Sequence, residues 1–364
     1  MHTDKKIALL HYWLTNMRGG ELVFSEICKM LPDSDIFTHA AIPEKLTVDI
    51  TAHKIQESLI AKLPWGRKHC QKYLPLMPFA LKRWDFNGYD LIISSESGPV
   101  KGIHKPKSCR HICYCHTPMR YLWDMYDEYY NSVGFGGKMA MSICKNYLRK
   151  YDMESAECVD QFIANSNFVA KRIQRIYNRE AAVIYPPVDI EFFSNRPQIE
   201  RKNYLFVGAL VCYKRPDLVV QAFSKLQNEK LLVVGDGGLY ANLRKMATDN
   251  VDFITNPTRE QIRNLYASSK ALIFPGIEDF GIVPVEAQAA GCPVIAMNIG
   301  GTAETVINKI TGIHISEQNQ ENILQAIEEI SSIKVNSATM WENVKKFSSA
   351  QFLHKFSNMV NQEL

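Results

Sequence analysis

The stretch KALIFPGIEDFGIVPVEAQAAG, residues 270–291, contains the pair of elements from which the fold is predicted. KALIFPG is a short apolar run that stops at a proline and a glycine, which predicts a buried strand. Pro284 suits the first turn of a helix, because its missing N–H is not needed there, so PVEAQAAG predicts a helix that ends at Gly291. Residues 277–283 then form the loop between strand and helix.

Two carboxylates stand eight positions apart in this stretch, Glu278 in the predicted loop and Glu286 in the predicted first helical turn. Two acids that face each other on one helix would be three or four positions apart. Free N–H groups at a helix start bind anions, and a glycine lets a ligand approach the backbone. The anion-binding backbone is predicted at Phe280, Gly281, Ile282 and Val283.

The predicted phosphate site thus has a carboxylate on each side, and carboxylates accept strongly from O–H donors. This arrangement suits a nucleotide diphosphate sugar, which carries hydroxyl groups on both sides of its phosphates. The alternative is structural. Glu278 is then a solvated loop acid, and Glu286 only favours the helix dipole.

Strand-like runs and helical patterns alternate along the whole chain, for example KIALLHYW before GGELVFSEICKML and NYLFVGAL before PDLVVQAFSKL. This alternation predicts an α/β protein with two doubly wound, Rossmann-like domains. Ligands bind beyond the carboxyl ends of such strands, so the two domains are predicted to face a central cleft.

Two prolines in VIYPPVD predict an extended connector between the domains. The predicted boundaries are an N-terminal domain over residues 1–186 and a C-terminal domain over residues 187–340. Residues 341–364 are predicted to form a C-terminal helix that packs back towards the N-terminal domain. Its apolar stripe consists of Trp341, Val344, Phe347, Phe352, Phe356 and Val360.

Composition is that of a globular protein, with 46% hydrophobic and 22% charged residues among 364. Residues 1–180 carry 25 Lys and Arg against 19 Asp and Glu, an excess too mild to indicate nucleic acid. The nine irregularly spaced cysteines indicate reduced thiols in the cytoplasm. No apolar stretch approaches the ~20 residues that span a bilayer, so any membrane contact is predicted to be peripheral.

Two further segments could bind phosphate. NMRGGELVF places Gly19 and Gly20 between the first strand and a helix, although a glycine pair is also common in ordinary turns. FVGALVCYKRPDL places Gly208 at the end of a strand and Lys214 and Arg215 just before a helix. Cations at a helix start oppose its dipole unless an anion lies beside them. Diphosphate binding is therefore favoured over a solvated charge pair.

CYCHTPMRYLWD places His116 at the tip of a buried strand. A zinc site is disfavoured, because the spacing lacks a Cys-x-x-Cys hairpin and a strand points its side chains to both faces. The zinc candidates would be Cys109, His111, Cys113, Cys115 and His116. Asp33 and Asp35 could hold a divalent ion, but a surface turn is favoured. No metal is predicted.

Residues 61–84, AKLPWGRKHCQKYLPLMPFALKRW, contain six Lys or Arg, two Trp and no acid. Basic, aromatic and apolar stretches of this kind suit an anionic membrane or a lipid phosphate. The alternative is a loop near the active site whose aromatic side chains pack internally.

These motifs resemble the retaining glycosyltransferases of family four, which have the GT-B fold, and among them bacterial mannosyltransferases of O-antigen and exopolysaccharide synthesis. The resemblance rests on HYWLTNMRGGE, YDLIISSES, YCHTPMRYLWD, FIANSNFVAKRI, VIYPPVD, FVGALVCYKRPDL, VVGDG and EDFGIVPVEAQAAGCPVIA. The last motif is the most specific, since it carries the family's two glutamates around a Phe-Gly pair.

The resemblance implies an acceptor-side domain over residues 1–186 and a nucleotide-sugar donor domain over residues 187–340. It implies that Glu286 binds the ribose and Glu278 the hydroxyls of the transferred sugar. Lys214, with Arg215, would neutralise the diphosphate, helped by the backbone at residues 280–283 and by the loop with Gly19 and Gly20. His116 would reach the donor sugar from the N-terminal domain. Many members have Gly-Arg where this chain has Gly208 and Ala209, so either Arg215 supplies the second cation or the leaving group is held less tightly.

The function implied is α-mannosyl transfer from GDP-mannose, without a metal cofactor, to a polyprenyl-diphosphate-linked glycan. The protein would work in the cytoplasm, peripherally at the inner face of the cytoplasmic membrane. Two alternatives stay open. One is another donor, UDP-glucose or UDP-N-acetylglucosamine, and the other is a non-catalytic subunit that binds a nucleotide sugar. The nucleotide base, the acceptor linkage and the oligomeric state are not determined by the sequence.

Overall fold

The computed structural model describes residues 4–333 and 336–364. The chain forms two compact units, one of Met1–Pro187 with Phe352–Leu364 and the other of Val188–Gln351. The boundary therefore falls directly after the paired prolines, and the end of the chain belongs to the first unit.

The first unit is built on a seven-stranded parallel sheet in the order β3-β2-β1-β4-β5-β6-β7. Leu9 in the central strand pairs with Ile36 on one side and Ile93 on the other. The strands are β1 (Ile7–His11), β2 (Asp35–Thr38), β3 (Ile55–Glu57), β4 (Leu91–Glu96), β5 (Arg110–Cys115), β6 (Gln161–Ala164) and β7 (Ala181–Val183). Strands β1 and β4 are buried throughout, as expected for a parallel sheet that is covered on both faces.

Helices cover this sheet because each presents an apolar face to it. The first helix, for example, buries Val23, Phe24, Ile27 and Cys28. The helices are α1 (Gly19–Met30), α2 (Val48–Thr51), α3 (Met77–Leu81), α4 (Tyr126–Ser132), α5 (Phe135–Glu157) and α6 (Asn167–Tyr177). Helices α4 and α5 are exceptions, because α4 contains no buried residue and the buried residues of α5 all lie in its second half.

The second unit has a six-stranded parallel sheet in the order β10-β9-β8-β11-β12-β13. Its strands are β8 (Asn203–Val207), β9 (Lys230–Val234), β10 (Val251–Ile254), β11 (Ser269–Phe274), β12 (Val294–Met297) and β13 (Gly312–Ile315). Its helices are α7 (Ile190–Ser194), α8 (Pro216–Ser224), α9 (Tyr240–Met246), α10 (Arg259–Ala267), α11 (Ile282–Ala289), α12 (Thr302–Thr305), α13 (Gln320–Ser332) and α14 (Ser337–Lys345). Side chains of β8, α8 and α13 form the centre of its core.

The end of the chain contains a break that the sequence analysis did not predict. In place of one helix over residues 341–364, α14 ends at Lys345 and α15 (Ser349–Glu363) follows it. The Ser348 hydroxyl starts the new helix by accepting from the N–H of Gln351 at 3.3 Å. Phe352 and Phe356 of α15 then pack edge-on against Tyr114 in the core of the first unit.

In each sheet the strand order reverses at one point. This point lies between β1 and β4 in the first unit and between β8 and β11 in the second. The loops that follow the two strands diverge at such a switch point, which leaves a crevice at their carboxyl ends. The predicted α/β fold with two Rossmann-like domains is confirmed. In open α/β sheets, ligands bind at such switch points.

Candidate functional site

In the second unit, the loops after β8 and β11 bring a cation and a carboxylate together. Lys214 follows β8, and its Nζ lies 2.9 Å from Oε1 of Glu278, which follows β11. Both side chains are mostly buried, and the Lys214 ammonium also lies 5.6 Å from the ring centre of Phe274. Gly208 makes room for this lysine, because a Cβ there would lie 3.2 Å from Lys214 Cδ. The pair was not predicted, since the sequence analysis assigned the two residues to different parts of a ligand.

A backbone hydrogen bond fixes the loop that carries Glu278, before helix α11 begins. The N–H of Gly301 donates to the Glu278 carbonyl at 2.8 Å. Gly281 forms the N-cap of α11 with φ +88°, in the left-handed region where a Cβ is strained. The side chain of Glu278 is thereby presented from a fixed loop at the start of a helix.

Helix α11 begins two residues earlier than predicted, at Ile282, so Glu286 lies in its second turn instead of its first. The reason is that Pro284, at the third helical position, still lies among the first four residues whose N–H has no partner within the helix. The amides of Ile282 and Val283 are therefore first-turn groups. They stay part of the predicted anion-binding backbone, since the positive end of the helix dipole lies there.

The surroundings of Glu286 shift the pKa of its carboxyl group. Burial raises the pKa of Glu286 to about 7, while the hydrogen bond from the Tyr266 hydroxyl and the charge of Arg259 oppose the rise. The Tyr266 hydroxyl donates to Glu286 Oε2 at 3.1 Å. Tyr266 itself is buried, so it holds this carboxylate in place. A carboxylate in such a position gains from further O–H donors, as a ribose would supply.

Arg215 is placed beside Lys214 but is engaged locally. Its guanidinium binds Asp217 in a bidentate manner, with Nε 3.1 Å from Oδ1 and the second nitrogen 2.9 Å from Oδ2. Arg215 also has a left-handed backbone, φ +53°, directly before Pro216 at the start of α8. The Asp217 carboxylate therefore partly neutralises the charge of Arg215. The sequence analysis did not consider this ion pair. Its role at a diphosphate stays a prediction.

In the first unit, His116 and Gly20 lie together. His116 follows β5, and its Nε2 lies 2.9 Å from the hydroxyl oxygen of Ser95 at the end of β4. A Cβ on Gly20 would lie 3.5 Å from the same nitrogen. Burial lowers the pKa of His116 to about 3, so the imidazole is neutral at physiological pH. Gly19 and Gly20 are the first two residues of α1, whereas the sequence predicted them between the first strand and the helix.

The sequence analysis missed a buried charge cluster in the first unit. Lys101 Nζ lies 2.6 Å from Asp152 and 3.3 Å from Glu96, and all three side chains are buried. Trp123 Nε1 donates to Asp152 at 2.7 Å, and the Tyr177 hydroxyl donates to Asp152 at 2.9 Å. The same Glu96 belongs to β4, and its carbonyl accepts from the His116 N–H at 2.8 Å. No sequence pattern marks this cluster, because its members come from separate elements.

The alternative metal sites do not form groups. Within residues 4–333 and 336–364, no three His, Cys, Asp or Glu side chains come together in a group that could hold a metal ion. His111 is instead within 2.8 Å of the Ser94 hydroxyl and 3.1 Å of the Cys158 carbonyl. Asp35 accepts from the Tyr89 hydroxyl. The described part of the chain also contains no helix long and apolar enough to cross a bilayer.

Two parallel-sheet units of the Rossmann type are the architecture of GT-B glycosyltransferases. Solved structures with this fold superpose on nearly the whole chain. Sucrose-phosphate synthase from Thermosynechococcus elongatus matches with a TM-score of 0.76 and 18% identity, covering 98% of each chain. Anabaena Alr3699/HepE, in complex with UDP and glucose, matches with a TM-score of 0.70 and 16% identity, covering 98% of this chain and 99% of that one. At these identities the likeness shows the fold alone.

The family follows from sequence matches. Residues 17–192 match the model of Glycosyltransferase Family 4, and residues 188–347 match the model of Glycosyl transferases group 1. The chain belongs to the group 1, family 4 glycosyltransferases.

Two curated relatives match part of the chain. D-inositol 3-phosphate glycosyltransferase from Mycobacteroides abscessus is 29% identical over 195 residues, which cover 47% of this chain and 44% of the relative. An uncharacterized glycosyltransferase from Methanocaldococcus jannaschii, MJ1178, is 29% identical over 214 residues, which cover 57% of this chain and 59% of the relative. The chain thus spans about half the length of these curated relatives.

Proposed function

We propose that the protein transfers an α-mannosyl residue from GDP-mannose, with retention of configuration, to a polyprenyl-diphosphate-linked glycan at the inner face of the cytoplasmic membrane. The observation that carries a sugar-transfer function is the pairing of Lys214 with Glu278 at the switch point of the second unit. The cation, the start of α11 and two carboxylates occur together there. The mannose and O-antigen assignments are supported by the resemblance of the motifs.

The chemistry requires stabilisation of charge. When the bond between sugar and diphosphate breaks, positive charge develops on the sugar ring and negative charge on the departing diphosphate. Lys214 and the amides at the start of α11 would stabilise the diphosphate, because preorganised donors act where charge develops. Glu278 would bind hydroxyls of the transferred sugar, and Glu286 those of the ribose. The departing phosphate would accept the proton of the incoming hydroxyl.

We propose that the reaction needs no metal ion, because Lys214 and the helix start would perform the neutralisation. Activity in EDTA should equal activity with added magnesium or manganese. Loss of activity on chelation, with recovery on manganese, would overturn this part of the proposal and return attention to Asp33 and Asp35. His116 is proposed to contact the donor sugar. His116→Ala should lower turnover more than nucleotide affinity.

A second candidate is the same reaction with a uridine nucleotide. The solved structures of Anabaena Alr3699/HepE include one in complex with UDP-glucose, and that protein has the same fold. The nucleotide contacts named above involve phosphate and ribose, which GDP and UDP share, so they favour neither base. The third candidate, a non-catalytic subunit, would have no need of a carboxylate beside the transferred sugar.

Calorimetric titration of the purified protein in EDTA separates these candidates. The ligands are GDP-mannose, GDP, UDP-glucose and UDP-N-acetylglucosamine. Selective binding of the two guanine nucleotides is the expected result. Selective binding of a uridine nucleotide would discard the mannose assignment but retain the roles of Glu278 and Glu286. Binding without any turnover, in the presence of a membrane extract as acceptor, would favour the non-catalytic subunit.

A further inference from the structure

Helix α5 exposes a stripe of large apolar side chains in its first half. Phe135 is 85% exposed and Ile143 is 71% exposed, with Met139 between them and Tyr147 after them. The four residues follow one another at intervals of four, so they share one broad face of the helix. None of the described residues of α4 is buried, and none of those of α5 before Leu148 is buried either. This face therefore packs against nothing in the core of its unit.

Within the segment that carries the stripe, the charged side chains have one sign, although Asp127 and Glu128 lie on the preceding helix α4. From Val133 to Tyr151 the chain has four cations and no acid, and the cations are Lys138, Lys145, Arg149 and Lys150. Some of them lie on aromatic rings, as Lys145 does 3.6 Å from the ring centre of Tyr126. Amphipathic helices that lie on anionic membranes combine apolar residues with Lys and Arg in this way.

The basic segment of residues 61–84 reaches the same place. Its second tryptophan packs internally, since Trp84 stacks with His39 at 5.7 Å and contacts Phe37 at 5.5 Å. Trp65 and Phe79 are exposed, however, so internal packing explains only part of the segment. A cavity of about 460 Å³ joins the segment to α5, and its lining includes Phe79 and Lys82 of the segment. Helix α5 contributes Tyr147, Lys150 and Glu154, with Lys150 Nζ 3.7 Å from the Glu154 carboxylate.

We propose that these residues form one docking face for an anionic lipid surface. The face consists of Phe135, Met139, Ile143 and Tyr147 of α5 with Phe79, Lys82 and Lys150 around the cavity. The apolar stripe enters the boundary between headgroups and acyl chains, while the lysines contact lipid phosphates. This inference rests on the proposed function in one respect, which is that the lipid-linked acceptor of the sugar lies in a membrane.

A second copy of the chain fits this face less well. A symmetric dimer places the same patch on both subunits, so the cations of one copy would face those of the other. An anionic lipid surface offers opposite charge over an extended area, and it can bury the whole stripe at once. The charge of the face thus selects lipid over self-association.

The test is flotation of the full chain with vesicles of phosphatidylcholine, with and without phosphatidylglycerol. The wild type should bind the phosphatidylglycerol vesicles, and more weakly at high salt. A Phe135→Ser/Ile143→Ser variant should lose about tenfold or more in partitioning, because both side chains would leave the lipid. Lys82→Glu/Lys150→Glu should lose the preference for anionic vesicles. Val48→Ser is the matched control, because Val48 is 76% exposed on α2 of the same unit and should bind as the wild type does.

Equal vesicle binding by Phe135→Ser/Ile143→Ser and the wild type would overturn the proposal. So would absence of vesicle binding by the wild type, or a dimer in light scattering that this variant abolishes. Nucleotide titration of the same samples reports on the second unit and on folding. A variant that floats poorly but binds nucleotide normally therefore separates failure of membrane docking from failure of the proposed sugar transfer.

Discussion

Lys214 and Glu278 form an ion pair in the second unit, with Nζ 2.9 Å from Oε1. The two residues are distant in sequence and meet because β8 and β11 are neighbours in the sheet. Each holds the other in position at the start of α11. A substitution of either one therefore changes the electrostatics of its partner, and the two must be distinguished by different measurements.

Replacing Glu278 should affect turnover far more than binding. Glu278→Ala is expected to lower the rate of sugar transfer ~10²-fold or more, because the proposed contact with the transferred sugar would be lost. Nucleoside diphosphate affinity should be retained, since Lys214 keeps its charge and loses an anion that competes for it. Turnover and calorimetric Kd measure the two effects. Glu321→Ala, an exposed acid of the same unit, is the control. Near-normal turnover in Glu278→Ala would refute the role.

Replacing Lys214 should affect the diphosphate. Lys214→Met is expected to weaken binding of the cognate nucleoside diphosphate by about 10- to 100-fold, since hydrogen bonds to charged groups contribute about 1.5–3 kcal/mol. Affinity for the nucleoside without phosphates should not change. Lys225→Met removes an exposed lysine of the same unit and should leave both affinities unaltered. An equal loss for nucleoside and diphosphate would mean that the site, and not one contact, has been disturbed.

Nucleotide binding should depend on pH through Glu286. The pKa of Glu286 is raised to about 7 by burial, so the group is protonated in the free protein below that pH. In the proposed complex the ribose hydroxyls would favour the ionised form, so binding would release a proton, and affinity should rise with pH until it levels off above the pKa. The expected loss is about tenfold at one pH unit below the pKa. Calorimetry in buffers of different ionisation enthalpy measures the proton released.

Glu286→Gln is the control for this profile, because the amide cannot ionise and has nearly the same size. The variant should bind with an affinity that is flat over the same pH range. A profile that persists in Glu286→Gln would assign the titration to a different group.

The stability of the first unit should depend on Lys101. Lys101→Met leaves the buried carboxylates of Glu96 and Asp152 without their cation, which is expected to lower the free energy of unfolding by about 3–5 kcal/mol. Urea unfolding measures the loss, and Lys171→Met, at an exposed position of α6, is the matched control. A loss below about 1 kcal/mol would show that Trp123 and Tyr177 satisfy Asp152 without the lysine.

The fold could be predicted because its signals are local. Apolar runs such as KALIF and the helical patterns between them indicate parallel strands with crossover helices, whatever lies elsewhere in the chain. The start of α11 was misplaced by two residues, because a proline is tolerated anywhere in a first turn. The break between α14 and α15 was missed, because the apolar stripe continues across it.

By itself, the sequence determined the alternation of strands and helices, and with it the two Rossmann-like domains. It also predicted that Glu278, Lys214 and Glu286 lie around a phosphate site, with Glu278 and Lys214 after strand ends and Glu286 in a helix, and that site stays a prediction. Only the tertiary structure decided that Lys214 pairs with Glu278 and that α5 exposes its apolar stripe. The physical reason is that ion pairs and exposure depend on which strands are neighbours and on which faces remain uncovered. Local patterns do not contain that information.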